Sequence, residues 1–262
     1  MTRTIHIVTT LADDYVASLE STFLDEWAFD PRLLVGRENA NIIKPDGTLL
    51  LAYRKEVIPP EVCNLAYPAL LRAATGDPSH RTTAAGGQPA PEGARNGIIG
   101  YLDPDRNSAH CRLTAYTRDD LDGWLGVLPF CEAVATAYRR ACPEQYRAAA
   151  RAARPIPDWL IPRTPWTTLT VNRNWPTAVH RDGGNLGFSA LSVLRTQGVE
   201  GCYLVFPKYR VAANLGTGDV LCADGSAEFH GTTAFTRLDE GSVRLSTVLY
   251  FRSEMRDCLP RR

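Results

Sequence analysis

No stretch of this 262-residue chain approaches the roughly 18 consecutive apolar residues of a membrane span. The N-terminus, Met1-Thr2-Arg3-Thr4-Ile5, lacks the basic and then apolar regions of a secretion signal. A cytoplasmic location without membrane contact is the expectation, and nothing points to an obligate protein partner. Net charge is also missing: 29 Lys and Arg balance 29 Asp and Glu. That excludes a uniformly basic nucleic-acid binder, though not a local basic stripe. Lysine is scarce (only Lys44, Lys55 and Lys208), and the accompanying excess of arginine and alanine is ordinary for a GC-rich coding sequence. No C-x-x-C pair occurs among Cys63, Cys111, Cys131, Cys142, Cys202, Cys222 and Cys258. An odd count without a leader predicts reduced thiols, not a disulfide frame or a zinc knuckle. Repeats of 20–50 residues are absent.

What is present is a globular composition, 44% apolar and 22% charged. A chain this long buries about 70–75% of its unfolded surface without staples. Residues 3–9 read as a strand and 13–26 as a short helix. Asp46-Gly47 marks a turn before a buried strand at 48–53. Pro59-Pro60 opens a helix that fades near Ala74. Residues 75–96 are rich in Gly, Pro, Thr and Ala without apolar period, and predict a long loop that is mobile or serves as a lid or nucleic-acid contact. Residues 119–153 read as helical, with Thr117 and Asp120 as a capping arrangement and a packing stripe of Leu121, Trp124, Leu125, Leu128, Phe130, Val134, Ala137 and Tyr138. Pro155-Ile156-Pro157 breaks that pattern.

From residue 165 the texture changes to short strands at 166–172, 188–194, 201–206, 209–214, 219–223, 227–230 and 243–251, separated by glycine turns. Strands at this spacing predict a sandwich, jelly roll or barrel. In the last of them, Arg244 and Ser246 are two apart and share a face.

His180-Arg181-Asp182 lies after one of these strands and before Gly183-Gly184, where a strand end meets a loop. His230 comes 48 residues later, and Arg244 another 14. Two imidazoles and one carboxylate leave three open positions on an octahedral ion, the facial triad of non-haem Fe(II) oxygenases. An arginine deeper in the barrel can clamp a distal carboxylate with two charge-assisted hydrogen bonds, and Ser246 can add a third. Structural histidines remain an alternative. So does a hydrolytic zinc site, although zinc would leave the distal R-x-S unexplained.

The segments TPWTTLTVNRNWPTAVHRDGGNLG, EGCYLVFPKYRVAANLGTGDVLCADGSAEFHGTT and VRLSTVLYFR resemble the TET/J-binding-protein family of Fe(II)- and 2-oxoglutarate-dependent dioxygenases. Weaker similarity runs upstream through Asn96–Tyr101, Arg112–Thr117 and DGTLLLAYRKEVIP. The resemblance implies an α+β chain with a double-stranded β-helix (jelly-roll, cupin-like) core and flanking helices. It implies a single dioxygenase domain over 1–262: N-terminal flanking strands, a helix and a long loop at 1–96, helical support at 97–163, and the catalytic core at 164–252. Iron at His180, Asp182 and His230 is implied, with 2-oxoglutarate on Arg244 and Ser246, O2 as co-substrate and ascorbate as stimulant. Family members oxidise the 5-methyl group of 5-methylcytosine or thymine, usually in DNA, to a 5-hydroxymethyl group, in some cases further. Asn185 matches a base-contacting position of the animal TET branch. The Cys-rich zinc-binding region of animal TET proteins and the long basic extensions of other relatives are missing.

Asn172, Arg173 and Asn174 lead into the triad, and Asn172 and Arg173 are candidate substrate contacts beside Asn185. Trp175 is a candidate for base stacking, more simply for packing. Asp224 and Glu228 flank His230 and are candidates to orient its second nitrogen. Arg81, Arg95, Arg106, Arg112, Arg118, Arg173 and Arg181 are candidate phosphate contacts. Zero net charge keeps two alternatives open: the same chemistry on a free pyrimidine nucleoside or nucleotide, and a non-catalytic module that binds modified bases.

Overall fold

A computed structural model describes residues 1–25, 28–105 and 108–258. In chain order the strands are β1 (Arg3–His6), β2 (Leu34–Val35), β3 (Ala40–Ile43), β4 (Leu49–Arg54), β5 (Arg95–Leu102), β6 (Arg112–Leu113), β7 (Thr168–Arg173) and β8 (Ser189–Arg195). They continue with β9 (Val199–Gly201), β10 (Leu204–Phe206), β11 (Val211–Ala213), β12 (Val220–Ala223), β13 (Gly231–Thr232), β14 (Phe235–Arg237) and β15 (Arg244–Tyr250). The α-helices are α1 (Asp13–Ser18), α2 (Pro60–Ala73), α3 (Ala115–Asp119), α4 (Leu121–Ala141) and α5 (Pro143–Ala153).

The expected jelly roll is present. A large sheet runs β1-β3-β4-β12-β8-β15-β7-β5-β6, and a smaller one runs β13-β10-β11-β2. The large sheet is antiparallel across β4-β12-β8-β15-β7-β5, the register in which one face can be apolar and the other polar. Alternation along β15 does this work. Leu245 and Leu249, with Phe251 just beyond, join the helix-covered core, whereas Arg244, Ser246, Val248 and Tyr250 line a cavity. Strands of the large sheet come from all three chain segments, so 1–96 contributes β1, β3 and β4 beside its helix.

Helices α2 and α4 cover the outer face. α4 buries Trp124, Val127, Phe130, Cys131, Val134 and Tyr138, and leaves Leu121 and Leu125 more than half exposed. Trp124, Phe130, Val134, Ala137 and Tyr138 of the expected stripe are buried, and Val127 and Cys131 join them, so only Leu121 and Leu125 fall outside the face set by the sheet and α2. The expected cap also divides in two: the Thr114 hydroxyl accepts from Thr117 N to start α3, and Asp120 accepts from Gly123 N to start α4.

Several elements are shorter than expected. The first strand ends at His6, and α1 ends at Ser18; Ser21, at φ 64°, instead donates its N–H to Val179 O. Residues 201–206 split at Cys202, which has φ 54°, and Pro207–Tyr209 form a 3-10 turn before β11. No strand covers 227–230; Asp224 there accepts from the N–H groups of Ser226 and Ala227 in a turn.

The loop after α2 is pinned. Gly76 and Asn96 exchange backbone hydrogen bonds, Ala178 N donates to Ala84 O, and Ala84, Ala85 and Ala94 pack on Trp175. Its last residues enter β5. The thiol expectation needs correcting as well: Cys111 and Cys258 form a disulfide, tying the β6 strand region to the C-terminal turn, while the other five cysteines are free and buried. Their separation of 147 residues hides that pairing from any local pattern. Among the described residues no helix is long and apolar enough to cross a membrane.

Candidate active site

His180 and His230 are held side by side by an antiparallel bridge. His180 N donates to His230 O at 2.8 Å and His230 N to His180 O at 2.9 Å. Asp182 is fixed by its backbone N–H on Gly225 O at 2.8 Å. The result is one cluster: His180 Nε2 stands 3.7 Å from Asp182 Oδ1, His230 Nε2 stands 3.9 Å from Asp182 Oδ2, and the three ligand atoms all lie within 4.8 Å of one another. These separations exceed hydrogen-bond range, so the lone pairs converge without bonding each other.

The outer nitrogens are occupied. His180 Nδ1 lies 2.8 Å from Ala178 O and His230 Nδ1 lies 3.0 Å from Glu228 O. A carbonyl only accepts, so each Nδ1 carries a proton, and in the neutral imidazole the lone pair then lies on Nε2. The orienting group beside His230 is therefore the Glu228 backbone carbonyl. The Glu228 carboxylate turns away to Tyr209 Oη and Lys44 Nζ, and Asp224 is spent on its own turn. Burial, and then the neighbouring His230, push the His180 imidazole down to about 4, so it is neutral near pH 7 and available as a ligand. A β-carbon at Gly225 would stand 2.5 Å from Asp182 Oδ2 and 3.1 Å from His230 Cε1. Only glycine leaves that space open, a requirement that its place in a turn motif conceals in the sequence.

The cluster opens on a cavity of about 490 Å³ between the sheets. Arg244 lines its inner part and is only 4% exposed. Its guanidinium has one long contact, Nη2 to Cys202 O at 3.5 Å, and among the described residues no carboxylate pairs with it. A buried guanidinium without a counter-charge is costly and fits an anionic ligand. Asn174 fixes its backbone, accepting from Arg244 N at 2.8 Å through Oδ1 and donating N–H to Arg244 O at 2.9 Å. Ser246 and Asn172 are register partners, and both line the cavity. Asn172 Oδ1 is buried without a hydrogen-bond partner. The donor set therefore fits Fe(II), and Arg244 with Ser246 fits the distal carboxylate of 2-oxoglutarate.

The other expected residues divide. Asn185 lines the cavity and bridges to Arg252, itself paired with Asp103 at 2.6 Å. Arg173 is absent from the cavity: strand alternation turns it to the outer face, near Tyr67 of α2. Trp175 is buried and lines the cavity with Arg81 5.1 Å above its ring. Of the candidate phosphate contacts, Arg81 and Arg181 reach the cavity, with Arg181 4.5 Å over the Phe229 ring. Arg112 pairs with Asp105 and Arg118 with Asp119, and Arg95 donates to Ala94 O. Arg106 lies outside the described residues. Asn96, Thr170 and the loop residues Thr82 and Thr83 also line the cavity. The loop that carries Thr82 and Thr83 was legible as a lid or nucleic-acid contact only as a whole, and no motif marks Thr170; the polar residue at Asn96 beside Gly97 on a core strand was a visible signal.

The profile of the Tet_JBP family, the oxygenase domain of the 2OGFeDO superfamily, matches residues 97–253. The bifunctional helicase and thymine dioxygenase JBP2 of Trypanosoma cruzi is 38% identical over 210 residues, covering 77% of this chain and 18% of the relative. Thymine dioxygenase JBP1 of Trypanosoma brucei brucei is 32% identical over 167 residues, covering 61% of this chain and 19% of the relative. The chain thus spans under a fifth of the length of either. The solved structure of NgTET1 in complex with 5mC DNA superposes with a TM-score of 0.62 at 16% identity, covering 87% of this chain and 80% of that one, a likeness of fold. With a family match over more than half its length and the triad assembled inside it, the chain belongs to the Tet/JBP family of 2-oxoglutarate- and iron(II)-dependent dioxygenases.

Proposed function

We propose that this protein hydroxylates the 5-methyl group of a pyrimidine, thymine or 5-methylcytosine, in DNA. The observation that carries the reading is the convergence of His180, Asp182 and His230 at the edge of a cavity whose inner wall holds the unpaired Arg244. The name thymine dioxygenase borne by the relatives favours thymine. When bound, iron(II) with 2-oxoglutarate and O2 supplies the oxidising equivalent that turns a methyl group into a hydroxymethyl group.

The chain's own residues supply position. Ala178 O and Glu228 O hold each imidazole in the tautomer that presents Nε2. Arg244 and Ser246, which line the same cavity as the triad, would hold the distal carboxylate of 2-oxoglutarate. Asn185 and Asn172 offer amide groups to the edge of a pyrimidine. In duplex DNA the methyl group lies in the major groove, beyond reach of a site enclosed between two sheets, so the base is flipped at a cost of a few kcal/mol. The buried walls at Asn172, Arg244 and Ser246 limit the water around the held methyl group.

A second reading, oxidation of a free nucleotide, draws on Arg81 and Arg181, which could hold a single phosphate at the same cavity. Product mass spectrometry separates the two. Purified protein is given Fe(II), ascorbate and 2-oxoglutarate with methylated duplex, unmodified duplex, single strands or free nucleotides. A 5-hydroxymethyl product in polymer with none in nucleotide supports the DNA reading, and the reverse overturns it.

A further inference from the structure

Several surface arginines of this protein are paired with acids, and others, such as Arg37, Arg210 and Arg237, stand singly with no acid in ion-pair range among the described residues. Arg72 of α2 pairs with Asp120, Arg118 of α3 with Asp119 and Arg163 with Glu132. Between Arg139 and Arg154, by contrast, the chain has five arginines and a single acid, Glu144, in a molecule of zero net charge. Arg139 and Arg140 close α4; Arg147, Arg151 and Arg154 follow at i, i+4 and i+7 along α5 and its C-cap, separated mostly by alanine. All five are exposed, and among the described residues none has an acidic partner. Like charges at i and i+4 repel, so the stripe weakens its own helix unless an anion faces it.

Its position follows from the packing at the ends of α5. Cys142, which precedes the helix, is in hydrogen-bond contact with Cys222 of β12. The next residue of that strand, Ala223, pairs with Ser189, and both line the cavity at the end where Gly225 holds Asp182. Beyond α5, the Trp159 ring packs 5.7 Å from Tyr101, whose N–H bonds Thr167 O; Thr167 N in turn bonds Tyr250 O. Cys142 just before α5 and Trp159 six residues after it thus reach strands of the large sheet toward the end that bears the triad, opposite the end where Arg244 pairs with Arg195, while α5 itself packs on α4.

We infer that Arg139, Arg140, Arg147, Arg151 and Arg154 form a docking surface for the phosphate backbone of duplex DNA flanking the base that enters the cavity. The inference rests on the reading of DNA as substrate. Charge complementarity commits it: i to i+7 spans about 10.5 Å of helix, a length over which duplex DNA presents about six phosphates.

The test is binding of an unmodified duplex of about 20 base pairs, measured against salt with no turnover, for the whole protein and for R147Q/R151Q/R154Q. The expected result is a Kd at least tenfold weaker at low salt and a log–log salt slope smaller by about 2.7, at about 0.9 per lost phosphate contact. R147K/R151K/R154K should keep the wild-type slope, and circular dichroism should show all three proteins folded. A glutamine variant that binds with wild-type Kd and slope overturns the surface, even if the wild type oxidises DNA. So does a wild type that binds no duplex. Loss of binding in the variant supports the surface, even if mass spectrometry finds no oxidised base in wild-type reactions; in that case only the catalytic reading falls.

Discussion

Along β15, neighbouring residues serve opposite faces of one sheet. Arg244 and Ser246 look into the cavity, where polar groups stand without protein partners; Leu245 and Leu249 look outward into a closed apolar layer with α2 and α4. The outward face is saturated with contacts and gains its energy from removal of water. On the inward face, Arg244 is buried with one 3.5 Å contact and Asn172 Oδ1 with none, an arrangement that stabilises the protein little by itself. The difference teaches that the two faces should respond separately to substitution: stability should fall from the outside, and function from the inside.

The sharpest break is expected at Asp182→Ala. Among the described residues its carboxylate accepts no hydrogen bond, so the melting temperature should stay near wild type while metal binding by calorimetry and hydroxylated product by mass spectrometry both disappear. A melting loss as large as that of a core variant would erase the contrast. On the outer face, Leu249→Ala should cost about 2–5 kcal/mol in denaturant unfolding, with the KM for 2-oxoglutarate unchanged in the folded fraction. Arg244→Ala should do the reverse: the apparent KM for 2-oxoglutarate rises roughly 10- to 150-fold, the equivalent of about 1.5–3 kcal/mol, without loss of folding cooperativity. An unchanged KM would move the carboxylate clamp to another residue. The smallest effect is expected at Asn174→Ala, which removes the acceptor for Arg244 N at a left-handed position with φ 50°. Unfolding free energy should drop by about 1–3 kcal/mol, and the KM for 2-oxoglutarate should rise only a few-fold.

Much of the inward face was legible before any coordinates. The R-x-S sits on a strand of period two, and the H-x-D triplet with the later histidine is a metal-ligand set by residue type alone, so both announce a site. Arg173 shows the limit of that logic. It follows Asn172 in the same polar run, yet alternation sends it to the other face, and the run itself does not say which phase the strand adopts. On α4, Leu121 and Leu125 share the apolar spacing of the buried Trp124, Phe130, Val134, Ala137 and Tyr138 yet stay more than half exposed, and spacing alone does not tell them apart. Gly225, Asn96 and the Thr82-Thr83 loop gained their roles only by coming close to residues far away in sequence.

The sequence by itself determined the strand-rich second half, the donor set of the triad, the arginine and serine that share a face, and the family, because each depends on residue type and short-range periodicity. Tertiary structure alone decided the rest. It joined Cys111 to Cys258 across 147 residues, bonded His180 to His230 through their backbones, and paired Arg72 of α2 with Asp120 across 48 residues. The physical reason is common to all three: hydrogen bonds, disulfides and ion pairs form over a few ångströms of space, and only the folded chain sets which distant residues share that space.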